Sequence, residues 1–256
     1  MEVVIVADRE AAGALVADIV VSHVRPGAVL GLATGSSPLP AYRDLIRRRS
    51  EGSLSLAECR AFLLDEYVGL PRTHPESYHS VIRREFTDEA GLDRVDGPDG
   101  EAQDIPAEAA RYEAAIAAAG GVDVQLLGIG TDGHLGFNEP GSSLASRTRV
   151  KTLTRQTRAD NARFFDSADD VPRHVITQGL GTILDARHLV LIATGEGKAA
   201  AVTSAVEGPV SAFCPASILQ LHPRATVVVD EAAAASLQLA DYYREAWDNK
   251  PAWQRF

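Results

Sequence analysis

Cysteine is scarce in these 256 residues: Cys59 and Cys214 stand far apart and form no C-x-x-C pair. No disulfide framework can be built from them, and the simple reading is a reducing cytosol. Positive charge is also short, with 25 Lys and Arg against 35 Asp and Glu, a net charge of −10. That argues against a nucleic-acid surface, which would need a basic face. It does not exclude a small anionic ligand, because local cations decide that. No apolar run approaches the roughly 20 residues that cross a bilayer. The start, "MEVVIVADRE", has neither the basic nor the long apolar segment of a secretory signal. These absences together lead us to expect a cytoplasmic protein.

What the chain has is apolar residues in plenty, 45 % of the total, enough for a full core. Short β-rich runs alternate with longer alanine-rich stretches. Strands are expected at Val3 to Val6, Ala28 to Leu32, Ala61 to Leu64, Val122 to Leu127, Leu189 to Ala193 and Thr226 to Val229. They are continuously apolar, as strands covered on both faces are. Helices are expected after Asp8, after Ser36-Ser37 with Pro38 in the first turn, from Ala107 to a stop at Gly120, and from about Glu231 towards Asp248. The alternation predicts an α/β fold, an open, mostly parallel, doubly wound Rossmann-like sheet flanked by helices. Residues 89 to 105 read as an acidic surface loop. Residues 140 to 180, rich in charge, read as a lid-like excursion above the sheet.

In such a sheet, ligands bind beyond the carboxyl ends of the strands. Four expected loops should meet there. "ATGSSP" offers Thr34, Gly35, Ser36 and Ser37 ahead of a helix start, which is either an anion cradle or a turn capped by serines. "DEYVGLP" places Asp65 and Glu66 at a strand end, either facing water or, for Asp65, partly desolvated as a base. "TGEGKAA" puts Lys198 at a helix start without Walker spacing.

The richest loop is "GIGTDGHLGFNEPGSS". Gly128, Gly130 and Gly133 spell G-x-G-x-x-G, but Pro140 and Gly141 follow too soon for the long helix a dinucleotide loop needs, so NAD is rejected. Asp132, His134 and Glu139 lack any helical metal-ligand spacing. Two readings are left: a proton-shuttling histidine oriented by carboxylates, or a polar turn whose members satisfy one another.

The segments "LGLATGSSPLPAY", "LDEYVGLPRTHPESY", "VDVQLLGIGTDGHLGFNEPGSSLASRTR", "TRADNARFF", "ITQGLGTILDA", "GEGKA", "AVEGPVSAFCPASILQLHP" and "VVVDEAAA" span nearly the whole chain. In that order they resemble the glucosamine-6-phosphate deaminases, within the wider group of sugar-phosphate isomerases that includes 6-phosphogluconolactonase. The lactonases share the D-G-H loop but differ after the histidine. Ser36-Ser37 departs from the glycine or threonine many members carry. The resemblance implies one isomerase/deaminase domain over 1–256, with no metal or organic cofactor. It implies Asp65 as the base between C2 and C1, and His134 as the ring-opening group with Asp132 and Glu139 as partners. Phosphate contacts would come from Thr34 to Ser37, Arg163 and Lys198. It further implies a regulatory cluster of Ser142, Ser143, Arg149, Lys151 and Thr152, taking N-acetylglucosamine 6-phosphate between subunits of a homo-oligomer, as in hexameric members. A lactonase-like hydrolase and a non-catalytic sugar-phosphate sensor are the alternatives.

Overall fold

The computed structural model describes every residue except Asp166, Ala168, Ala252 and Arg255, and only the backbone of Asp160. Its strands are β1 (Glu2–Val6), β2 (Val29–Leu32), β3 (Arg60–Leu63), β4 (Asp65–Tyr67), β5 (Val95–Asp96), β6 (Val124–Leu127), β7 (Arg149–Thr152), β8 (His174–Thr177), β9 (Leu189–Ala193) and β10 (Ala225–Asp230). Its α-helices are α1 (Arg9–His23), α2 (Leu39–Ser50), α3 (Tyr78–Ile82), α4 (Asp88–Ala90), α5 (Ile105–Ala118), α6 (Arg155–Asn161), α7 (Leu180–Leu184), α8 (Ala199–Val206) and α9 (Ala240–Asp248). No helix among the described residues is long and apolar enough to cross a membrane.

Seven strands form one parallel sheet in the order β1-β10-β9-β6-β2-β3-β5. Alternate residues of each strand feed two separate cores, as the two-residue repeat of a strand requires. Leu30, Leu32, Leu63, Leu126, Val190 and Ile192 pack under α1 and α2. Val29, Phe62, Leu127, Leu189 and Leu191 pack on the opposite face with Tyr112 of α5 and Val202 of α8. The strands are therefore apolar throughout because neither face meets water.

Strand positions agree with the sequence reading to within two residues. The helix expected from Ala107 starts at Ile105, because Asp104 caps it by accepting Ala107 N, with Pro106 in the first turn. The terminal helix starts only at Ala240. Ahead of it, the Glu207 carboxylate accepts the amides of Gln238 and Leu239 and turns the chain. The 89–105 segment is more than a surface loop: it supplies edge strand β5, and Gly97, Pro98 and Gly100 are buried.

Residues 140 to 180 contribute β7 and β8, which form an antiparallel sheet with β4 in the order β4-β8-β7. The expected excursion is thus anchored by a ladder. Among its described residues, only the 155–165 stretch, α6 and the turn after it, lines the cleft described next.

Candidate active site

β9, β6, β2 and β3 are consecutive neighbours in the sheet and all parallel, so the four loops singled out in the sequence leave from one edge. They line one cleft of about 800 Å³. Thr34, Gly35, Ser36, Ser37, Asp65, His134, Arg163 and Lys198 all face it. Asp132 and Glu139 stand behind that lining. Ser142, Ser143, Arg149, Lys151 and Thr152 lie off it.

Asp65 sits where the chain leaves the main sheet. Leu64 carries the chain from β3 into β4, and Gln178 pins the junction through its backbone N to Leu64 O at 2.8 Å and its Nε2 to Leu63 O at 2.9 Å. Asp65 pairs with Thr177 across the antiparallel ladder, so it rides on a strand rather than the loop expected for it. It is 5 % exposed. Burial pushes its carboxyl well above the usual range, and the neighbouring Glu66 charge adds to the rise. Gly136 approaches Asp65 closely. A Cβ there would lie 3.2 Å from Asp65 Oδ2, and its φ is +55°.

Glu66 does not face water. Its carboxylate, 1 % exposed, accepts Ser77 Oγ at 2.6 Å and the amides of Tyr67, Tyr78 and His79. It ties β4 to the start of α3, whose Tyr78 and Val81 form a cleft wall.

His134 hangs on the turn after β6. Its Nδ1 lies 2.7 Å from Asp132 Oδ1, off the line of a straight N–H···O bond. Asp132 Oδ1 also accepts the His134 amide at 3.2 Å. Bonding to His134 holds the Asp132 carboxyl below its ordinary value. Nε2 is the imidazole nitrogen not engaged by Asp132. Gly130 packs directly under the ring: a Cβ there would fall 2.2 Å from His134 Cε1.

Glu139 is placed differently from the partner role expected of it. Its Oε1 accepts Thr154 N, Thr154 Oγ1 and Thr157 Oγ1, so among the described bonds it anchors α6 rather than His134. It acts on the site through Thr157, which lines the cleft.

α2 begins at Leu39 without any side-chain cap. No described bond uses the hydroxyls of Thr34, Ser36 or Ser37, so the serine-cap alternative does not hold. Ser36 O is held by Arg9 Nη2 at 2.6 Å. Lys198 Nζ donates to Ile129 O at 2.6 Å, drawing the loop after β9 towards that after β6. The Arg163 guanidinium lies 4.7 Å from the Phe164 ring centroid at the mouth.

Sequence reasoning missed the aromatic and acidic wall: Tyr67, Tyr78, Phe137, Phe165, Glu76 and Glu85 also line the cleft. The run "DEYVGLPRTHPESY" holds three of these six, Tyr67, Glu76 and Tyr78, but only its first two acids attracted attention. Among the described residues no group of three or more His, Cys, Asp or Glu is arranged to hold a metal ion.

The glucosamine-6-phosphate isomerase/6-phosphogluconolactonase family matches residues 8–229. A glucosamine-6-phosphate deaminase of Rhodococcus opacus is 67 % identical, with 100 % of both chains covered. One from Streptomyces coelicolor is 61 % identical over 99 % of each. A solved monomeric glucosamine-6-phosphate deaminase superposes with a TM-score of 0.89 at 42 % identity, over 92 % of this chain and 100 % of the other. The 6-phosphogluconolactonase of Trypanosoma cruzi, at 20 % identity and a TM-score of 0.73 over 93 % and 97 %, shares the fold. An α/β cleft built from these four loops and a match over most of the chain lead to one placement: the protein belongs to the glucosamine-6-phosphate isomerase/6-phosphogluconolactonase family.

Proposed function

We propose that residues 1–256 form one catalytic domain that isomerises and deaminates glucosamine 6-phosphate to fructose 6-phosphate and ammonia, in amino-sugar catabolism. The observation that supports this is that Asp65 and His134 line one cleft together with Thr34, Ser36, Ser37, Arg163 and Lys198. An aldose–ketose shift needs a base at carbon and a proton carrier at oxygen. His134, oriented by Asp132, moves the O1 proton to the ring oxygen and opens the sugar. Asp65 takes the C2 proton and returns it to C1. The C2 imine so formed is hydrolysed by water, which leaves its oxygen at C2 as ammonia departs. A lactonase would need no proton transfer at carbon, and a pure sensor would need neither Asp65 nor His134. The relatives at 61 and 67 % identity named as deaminases support the same choice. The test is ammonia and fructose 6-phosphate release by purified protein. Hydrolysis of 6-phosphogluconolactone in place of these products would favour the alternative.

The phosphate end is formed by Thr34 to Ser37, Arg163 and Lys198. Lys198→Ala and Arg163→Ala should each remove a charge-assisted contact worth roughly 1.5–3 kcal/mol. The loss should appear mainly as a higher KM, because the phosphate is remote from the reacting carbons. Wild-type protein using glucosamine as well as its 6-phosphate would refute this assignment.

The regulatory part of the reading is that the protein is a homo-oligomer, as large as a hexamer, whose KM falls with N-acetylglucosamine 6-phosphate. Two contacts support a route to the site. Ser142 Oγ is buried without a partner among the described residues. Arg149 Nη1 donates to Asn138 Oδ1 at 2.8 Å, and Asn138 Nδ2 holds Leu135 O of the His134 loop. An anion at Ser142, Ser143, Arg149, Lys151 and Thr152 would pull on that loop through Asn138. Arg149 is therefore unsuited to a clean test, since its loss also loosens the loop. Lys151→Ala should abolish the effector response and spare basal turnover. A monomer by light scattering with an effector-blind KM would end the regulatory reading and leave the deaminase reading intact.

A further inference from the structure

Tyr67 has no task in this chemistry, yet it is 2 % exposed and lines the cleft. It stands two residues from Asp65 on β4, so both side chains leave the same face of the strand. Its hydroxyl accepts Asn161 Nδ2 at 3.0 Å and the Tyr78 hydroxyl at 3.2 Å. Its ring meets Phe165 edge-on, 5.7 Å between centroids at 87°. Phe165 in turn stacks on His74 at 6.0 Å. Asn161 ends α6, and Arg163 follows two residues later.

Elsewhere in the 155–165 stretch, Arg158 Nε donates to Val171 O at 3.3 Å. Thr157 is the stretch's one buried side chain among those described. Its near end is fixed where Glu139 receives Thr154 and Thr157. Its far end is fixed by the Tyr67 hydroxyl and ring. Segments with few buried apolar contacts open at low cost, so single polar ties decide their populations.

We infer that Tyr67 is a positioning residue that clasps the 155–165 stretch over the cleft through Asn161 and thereby sets Arg163 at the phosphate end. The inference rests on the phosphosugar reading. The bond is made at the strand that carries Asp65, so the segment binding the phosphate and the base acting on carbon share one support. A ligand engaging Arg163 gains from a clasp already closed, because the ordering of the segment precedes binding.

The test compares Tyr67→Phe, which keeps the ring, with Asn161→Ala and the double variant. Each single change should raise the KM for glucosamine 6-phosphate about 5–10-fold, the cost of one hydrogen bond. Inhibition by inorganic phosphate should weaken in parallel, and kcat should hold within about twofold. The double variant should be no worse than the poorer single one, as expected when both remove the same bond. Amide hydrogen exchange without any ligand should quicken across 155–165 in all three proteins and stay unchanged in β9 and β10. Additive KM losses, a fall in kcat with KM unmoved, or unaltered exchange at 155–165 would each overturn the clasp. If the wild type did not turn over glucosamine 6-phosphate, the functional reading would fail while the exchange data still decided the clasp.

Discussion

Asp65→Asn should cut turnover of glucosamine 6-phosphate by about 10²–10⁴-fold, the usual cost of a lost general base. Asparagine keeps the shape and cannot accept the C2 proton. The fold should not suffer. A buried carboxyl whose folded pKa is raised destabilises the folded state once pH exceeds its unfolded value, since ionising it there costs more than in water. At pH 7 the variant should therefore melt at or above the wild-type temperature. The decisive reading is solvent deuterium at C1 of the product, carried there by the base in the wild type. Near-normal turnover with deuterium still entering C1 would remove Asp65 from the mechanism. The same raised pKa fixes the sign of the pH effect. The base works ionised, so kcat/KM should fall as pH drops through a value above the ordinary carboxylate range.

Why Asp65 has this character was only half legible in the sequence. An acid at the end of "AFLL" announces a strand end. It does not say that the next three residues start a second sheet. The pairing partner of β4 is β8, more than a hundred residues away, and its residues "HVIT" are too short a run to stand out amid charged neighbours. β5 escaped for the same reason: two residues at a sheet edge carry no period. By contrast the central strands are apolar at every position because two cores claim them, and that signature is local. The four loops could be assigned to one edge on that basis alone, since parallel strands leave them no alternative. Glu139 shows the limit. Spacing puts it five residues from His134 and suggests a partner. The turn between them, with Leu135 and Asn138 bridged, carries its carboxylate towards Thr154 and Thr157 instead. Side-chain direction after a tight turn depends on backbone angles that residue order does not state. The aromatic wall was missed because tyrosine and phenylalanine at such positions look the same whether they fill a core or face a ligand.

Gly130→Ala should lower kcat/KM about 10²-fold, the scale of displacing a catalytic group by roughly an ångström. The argument is steric. The added methyl would lie 2.2 Å from His134 Cε1 and 2.3 Å from Nδ1, so the imidazole must swing away. That motion also breaks the 2.7 Å approach to Asp132 that sets the ring's orientation. Backbone strain is not the cause, because Gly130 has no positive φ, and alanine can adopt its conformation. Loss of activity and loss of fold should therefore separate: circular dichroism should be unchanged while ring opening fails. Gly128→Ala distinguishes collision from a mere stiffening of the loop. Its methyl would meet Ser37 at an ordinary 3.6 Å, so it should cost far less. Proton exchange at C2 of a substrate supplied in its open-chain form gives the finer check. The atoms nearest the added methyl all belong to His134, so that exchange should survive in Gly130→Ala while turnover of the cyclic sugar is lost. Equal losses of both reactions would mean that His134 serves the carbon chemistry too, and that ring opening is not its separate task.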